Sequence, residues 1–261
     1  MLNIQNPFRN LPPVTLNLLI LNVAIFIFML IPGAQHALDR WLAVYYFTSA
    51  DFYPWQLFTY MFLHGNFGHL FFNMFALLIF GPPIERSMGS PRYLFYYLTC
   101  GICAALVQMG VFAWVIHDLA SEIHNQALLS AAMRGDIAEA SDIFDSLTLT
   151  QREDYYTATV QILQYVNIPM VGASGAIYGV LLAFGFLFPN VPVYIFFIPV
   201  PIKAKWLIVG YFILEFVSGI NGLNMAADNV AHFAHLGGMI FGLLLLLYWK
   251  KKGVFNNHWF F

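Results

Sequence analysis

Three short stretches hold the residues of this chain whose types and spacing could do chemistry. The first is Gly172-Ala173-Ser174-Gly175-Ala176-Ile177-Tyr178-Gly179, a glycine-flanked serine opening a long apolar run. A serine in the first turn of a helix is surrounded by unpaired backbone N–H groups and sits on the positive end of the helix dipole. That setting suits an oxyanion and makes Ser174 a candidate nucleophile. The second stretch carries His69 and Asn73, one helical turn apart on a shared face, so both can aim donors at one spot. The third is Ala231-His232-Phe233-Ala234-His235-Leu236-Gly237-Gly238, which continues to Gly242. His235, Gly238 and Gly242 fall at i, i+3 and i+7 and form one stripe. Each stretch also has a plainer reading. Gly175 with Gly179, and Gly238 with Gly242, have the small-xxx-small spacing of closely packed membrane helices, and His69 and Asn73 could simply hydrogen-bond between helices. The two readings meet in one expectation: glycine stripes that pack backbone to backbone would bring His235 towards Ser174, a base beside a nucleophile.

The elements that must position these residues are transmembrane helices. The chain has 261 residues, 60% hydrophobic and only 9% charged, a composition that a single soluble core does not need. Apolar runs at Val14 to Ile31, Met61 to Phe80, Tyr93 to Ile116, Val171 to Phe188, Trp206 to Ile220 and Val230 to Trp249 predict six spans, an all-α polytopic membrane protein. The first run lacks a basic leader region and a small-residue cleavage site, so it is read as a retained span. Lys and Arg fix the orientation: Arg9, Arg86, Arg92, Lys203, Lys205 and Lys250 to Lys252 fall on the side of the termini, against Arg40, Arg134 and Arg152 on the other. The termini are therefore expected in the cytoplasm. Spans two, four and six then enter from outside, and His69, Ser174 and His235 each lie within about two turns of that surface, at a depth on the order of 10 Å. Polar groups there require a water-accessible cavity, which would also supply water for hydrolysis. No nucleic-acid partner is implied.

The connections carry less chemistry. The external loop to Met61 is rich in aromatic residues, among them Trp41, Tyr53 and Trp55, which suit the headgroup layer. His64 and Asn66 open the second span beside His69. Gly81-Pro82-Pro83 is expected to break that helix, with Glu85, Arg86, Gly89 and Arg92 in a short charged connection that serves as hinge or cap. Residues 117–168 read as an external, helical insertion, with apolar positions at Leu119, Ile123, Leu128, Met133, Ile137, Ala140 and Phe144 and a capping box at Thr150 and Glu153. Pro192, Pro199 and Pro201 predict an irregular cytoplasmic connection. Cys100 and Cys103 read as small packing residues. Glu215, about five residues from the outer end of the fifth span, is assigned to structural use ahead of a functional one.

With these residues in place, the sequence resembles the rhomboid family of intramembrane serine proteases. The likeness rests on His69-x-x-x-Asn73, Gly172-x-Ser174-Gly175 with Tyr178, and Ala234-His235-x-x-Gly238-x-x-x-Gly242. It implies a single six-helix rhomboid membrane domain over 1–261, in a bacterial inner membrane, with the active site open to the outside. It further implies Ser174 as nucleophile and His235 as base and acid in a dyad without a carboxylate. Tyr178 would orient the His235 ring, and His69, Asn73 and the Ser174 N–H would bind the oxyanion, with Gly172 lining that hole. The implied partners are the lipid bilayer and transmembrane protein substrates, cut near their outer ends; no metal and no cofactor is implied. Trp55-Gln56 departs from the family's Trp-Arg, which weakens any claim about anchoring of the first loop. A pseudoprotease that grips helices without cutting them is disfavoured by the presence of both Ser174 and His235. A metal site or channel built on His64, His69, His232 and His235 is disfavoured because no HExxH motif is present and no carboxylate is evident beside the histidines.

Overall fold

The computed structural model describes residues 11–194, 200–222 and 231–255. Arg9, Pro199 and the Val230 start of the expected sixth span lie outside them. The described chain is helical over most of its length, with α1 (Pro13–Met29), α2 (Ala34–Leu42), the single turn α3 (Gln56–Thr59), α4 (Phe67–Met88), α5 (Ser90–Ala120), α6 (Gln126–Arg134), α7 (Ile137–Asp145), α8 (Leu149–Asn167), α9 (Ser174–Leu187), α10 (Ala204–Gly222) and α11 (His232–Lys251). Among the described residues α4, α5, α10 and α11 are long and apolar enough to cross a membrane, and α1 and α9 are shorter apolar helices.

The shortness of α9 has a physical reason. Its 14 residues rise only about 21 Å, less than the hydrocarbon thickness of roughly 30 Å. Ten of the 14 are buried, however, because α4, α5, α10 and α11 surround the helix. A helix enclosed by protein can end inside the bundle without exposing its terminal backbone groups to lipid. Glycine makes that enclosure tight: a Cβ added at Gly238 of α11 would collide with the Gly175 carbonyl oxygen, and one at Gly179 would lie 3.2 Å from the Gly238 carbonyl and within the Cys100 side chain. The Tyr96 hydroxyl donates to the Gly179 carbonyl at 2.8 Å, tying α5 to the same seam.

Several expectations are corrected. Pro82 and Pro83 lie inside α4, which continues through them to Gly89 at φ 81°. The prolines remove only two N–H donors in the last turns, and Gly81 makes room for Thr15 and the Tyr93 hydroxyl, where a Cβ would clash. The helix goes on to deliver the buried Glu85 carboxylate to the start of α1. There Oε1 accepts from the Val14 N–H at 2.9 Å and Oε2 from the Thr15 N–H and hydroxyl at 2.7 and 2.8 Å, while Ser90 donates to Oε1 at 2.6 Å. A residue distant in sequence thus caps α1, whose own N-cap, Pro12, offers no side-chain acceptor. The capping box of α8 is Thr148 with Gln151, two residues before the expected pair. The chain is not purely helical either: after α9, β1 (Pro192–Val193) pairs antiparallel with β2 (Ile202–Lys203), and Val44 bridges Met170.

Beyond α5, helices α6 to α8 build a second core of Ile123, Leu128, Ala131, Ala132, Ala140, Ala158, Ile162 and Val166, capped by Tyr46 from the first loop. Ile137 is corrected from this core to the surface, at 63% exposure. The first loop is fastened to this unit, since the Ala50 N–H donates to the Arg134 carbonyl at 3.3 Å and the Thr48 hydroxyl to the Met133 carbonyl at 2.5 Å. Gln56, fully buried, holds that loop from within: Nε2 donates to the Arg40 and Asp51 carbonyls at 3.1 and 2.8 Å, and Oε1 accepts from the Tyr53 N–H at 3.1 Å. An uncharged side chain therefore supplies the anchoring that Trp55-Gln56 had put in doubt.

Candidate active site

The segment before α9 is pinned on both sides. Met170 pairs with Val44, and the Gly172 N–H donates to the Tyr60 carbonyl at 3.0 Å while the Tyr60 hydroxyl bonds the Gly101 carbonyl at 2.6 Å. Gly172 has φ +127°, a conformation L side chains rarely adopt, and a Cβ there would press on the His69 ring at 2.7 Å and lie 3.7 Å from the Ser174 hydroxyl. Glycine at 172 therefore lets His69 reach the mouth of the site. Ser174 is the first residue of α9, where backbone N–H groups have no helical partner.

Across the α9–α11 seam, the His235 Nε2 lies 2.8 Å from the Ser174 Oγ. The Tyr178 ring stacks on the His235 ring with centroids 4.2 Å apart and planes 8° from parallel. The depth of His235 is set by two contacts: the Gly238–Gly175 approach, and the Ala234 N–H, which donates at 3.1 Å to Gln108 Oε1 from α5. Gln108, buried in an apolar helix, went unnoticed in the sequence; a lone glutamine in the middle of a span was the signal. On α4, Asn66 caps the helix by accepting from the His69 N–H at 2.8 Å. Asn73 is buried and its amide Nδ2 has no partner, and the His64 ring, also buried, meets His69 edge to face at 5.1 Å. A buried donor without an acceptor is costly, and Asn73 Nδ2 is such a donor.

The expected absence of a carboxylate near His235 is corrected. Glu215 of α10 lies with Oε2 2.6 Å from the His232 Nδ1 and 3.0 Å from the His235 Nδ1, and Oε1 accepts a hydrogen bond from the Tyr178 hydroxyl. The Nδ1 of His235 is within ion-pair distance but its N–H direction is not aligned on the oxygen as a formed hydrogen bond requires. The sequence could not place this acid: α10 is apolar nearly all round, so its pattern does not say which face meets α11. The same finding removes the reason given against a metal, because Glu215, His232 and His235 bring three donor atoms within 4.8 Å of one another. His64 and His69 are not part of that group.

The profile of the rhomboid domain matches residues 51–120 and 146–252, leaving out the whole of α6 and α7. The chain belongs to the rhomboid family. It is 26% identical over 248 residues to the rhomboid protease AarA of Providencia stuartii, covering 88% of this chain and 70% of the relative. It is 25% identical over 236 residues to the mitochondrial Rhomboid protein 1 of Saccharomyces cerevisiae, covering 90% of this chain and 52% of the relative. Against the rhomboid protease GlpG of Yersinia pseudotuberculosis the figures are 25% over 240 residues, 92% and 63%. The chain thus spans from about half to 70% of the lengths of these relatives. Family and apolar helices together make it an integral membrane protein.

Proposed function

We propose that this chain is an intramembrane serine protease that cuts transmembrane segments of other proteins. The observation that carries the reading is the 2.8 Å approach of His235 Nε2 to the Ser174 Oγ at a helix N-terminus. In this reading His235 takes the Ser174 proton as Oγ attacks the scissile carbonyl, then passes it to the leaving amine; water repeats the cycle on the acyl-enzyme. The Ser174 N–H, Asn73 Nδ2 and the His69 ring stabilise the oxyanion. Unpaired donors gain most when charge develops in a water-poor site. The stacked Tyr178 ring keeps His235 from turning away from the serine. Gly175, Gly179, Gly238 and Gly242 serve the packing that sets the Ser174 to His235 distance.

The same reading takes α1 and α9 as spans alongside α4, α5, α10 and α11, a six-helix bundle in one domain. Both termini face the cytoplasm, and the α4, α9 and α11 starts open to the outside together with the 117–168 insertion. The charge distribution supports this orientation, with eight Lys and Arg on one side and three on the other. The reading places the chain in a bacterial inner membrane, although one of the relatives named above is mitochondrial. Cleavage of a single-span model substrate by the wild type and not by Ser174→Ala, at equal expression, is the expected result, and cleavage by both in a protease-free reconstitution would end the serine mechanism.

A further inference from the structure

We propose that Glu215 is a positioning residue for His235, turning the serine–histidine pair into a three-residue relay whose carboxylate comes from α10. The inference rests on the reading of Ser174 as nucleophile and His235 as base.

The case begins with cost. Glu215 is 3% exposed, and among the described residues its polar neighbours are two imidazoles and a phenol, with no lysine or arginine paired to it. A carboxylate held in this way stabilises a fold poorly compared with a well-packed apolar residue of similar volume. What such a group does well is fix the state of an imidazole. Nε2 lies 2.8 Å from the Ser174 Oγ and Nδ1 3.0 Å from Glu215 Oε2, near but not aligned; His235 must carry its proton on Nδ1 for Nε2 to accept one from serine, and a carboxylate this near Nδ1 favours that tautomer and the imidazolium that follows.

The surroundings of the carboxylate are arranged to hold it there. Tyr178 gives its hydroxyl to Oε1 while its ring faces His235, so one side chain fixes both the carboxylate and the imidazole. His232, one turn above His235, holds Oε2 at 2.6 Å. Ser174 and Tyr178 share a face of α9 at i and i+4, and His232 and His235 share a face of α11 at i and i+3. Glu215 joins α10 to both through its carboxylate. A metal bound by the same three residues is the competing arrangement. Ligand atoms around a tetrahedral zinc stand roughly 3.3 Å apart, whereas 2.6 Å between Nδ1 and Oε2 is a hydrogen-bond spacing.

The test is steady-state cleavage of one transmembrane peptide in detergent by the wild type, Glu215→Gln, Tyr178→Phe and the double variant, with thermal stability and fluorophosphonate labelling of each. Glu215→Gln keeps the shape and removes the charge; kcat is expected to fall at least about tenfold, with KM within about twofold. Loss of the equivalent carboxylate charge in a serine protease triad costs about 10⁴ in kcat. Tyr178→Phe keeps the stacked ring and loses only the hydroxyl, so a smaller fall is expected, and the double variant should be no worse than Glu215→Gln alone. A purely structural glutamate would lower stability or raise KM and leave kcat in place, which would overturn the proposal. Should Glu215→Gln not fold, Tyr178→Phe decides: a kcat loss at unchanged KM supports the relay, and wild-type kcat contradicts it. Loss of wild-type activity in EDTA, restored by Zn²⁺, would also overturn it by making the three residues metal ligands. An unlabelled wild-type Ser174 would sink the nucleophile reading, whereas a labelled wild type with an undiminished Glu215→Gln would sink this inference alone.

Discussion

Two buried glutamates lie in different parts of the bundle and are held in different ways. Glu85 accepts from two backbone N–H groups and two hydroxyls, all of which keep their protons through any turnover. Glu215 is held by the His232 imidazole and the Tyr178 phenol and lies 3.0 Å from the unpaired His235 Nδ1, groups that can exchange protons or turn. Both Glu85 oxygens have fixed partners, with only the Tyr93 hydroxyl near them left unpaired among the described groups, whereas near Glu215 and Ser174 the unpaired groups are ring and amide nitrogens: His235 Nδ1 and Asn73 Nδ2, with both His64 ring nitrogens nearby on α4. Saturated hydrogen bonding locks a helix start; incomplete hydrogen bonding leaves capacity for a substrate. On the proposed reading, one end of the molecule serves stability and the other reaction.

The largest effects should come from the reactive end. His235→Ala is expected to abolish cleavage with little loss of stability, because the close α9–α11 approach depends on Gly238 and Gly175 rather than on the imidazole; retained turnover would remove the base from the account. Asn73→Ala should lower kcat by roughly 10² to 10³ at nearly unchanged KM, the usual worth of one oxyanion donor. A change confined to KM would make Asn73 a substrate-positioning group. His232→Ala should keep measurable activity at a reduced rate, since His232 holds Glu215 while it is His235 that lies 2.8 Å from the Ser174 Oγ. If His232→Ala were dead and His235→Ala active, the register of α11 on α9 would have to be redrawn.

The other end should answer in stability alone. Glu85→Gln keeps the shape but weakens the cap on α1, and a loss of roughly 2 kcal/mol in thermal unfolding, with kcat of the folded fraction unchanged, is expected. A kcat defect there would break the division between the two ends.

The sequence discloses the parts of this site that are periodic. Ser174 and Tyr178, His69 and Asn73, and His235 with its glycines are each separated by a helical turn or two, so their shared faces can be read directly. What stays hidden depends on rotation between helices. Glu215 sits in an apolar helix whose sequence does not fix its orientation, and Gln108 reaches α11 from α5 through a single hydrogen bond. Helix ends are hidden for a local reason: Pro82 and Pro83 read as a break, yet the energy to continue comes from Glu85 meeting α1 some 70 residues earlier. The capping box at Thr148 and Gln151 shows the same uncertainty on the scale of two residues, where neighbouring Thr-x-x-acceptor patterns compete.

The central claim is that Ser174 is a nucleophile activated by His235. It is tested most directly by reacting the purified protein with a fluorophosphonate and locating the adduct by peptide mass spectrometry in the wild type, Ser174→Ala and His235→Ala. The account predicts a single adduct on Ser174 in the wild type, none in Ser174→Ala, and none or a trace in folded His235→Ala. An adduct elsewhere, or labelling of Ser174 at the wild-type rate without His235, would contradict it.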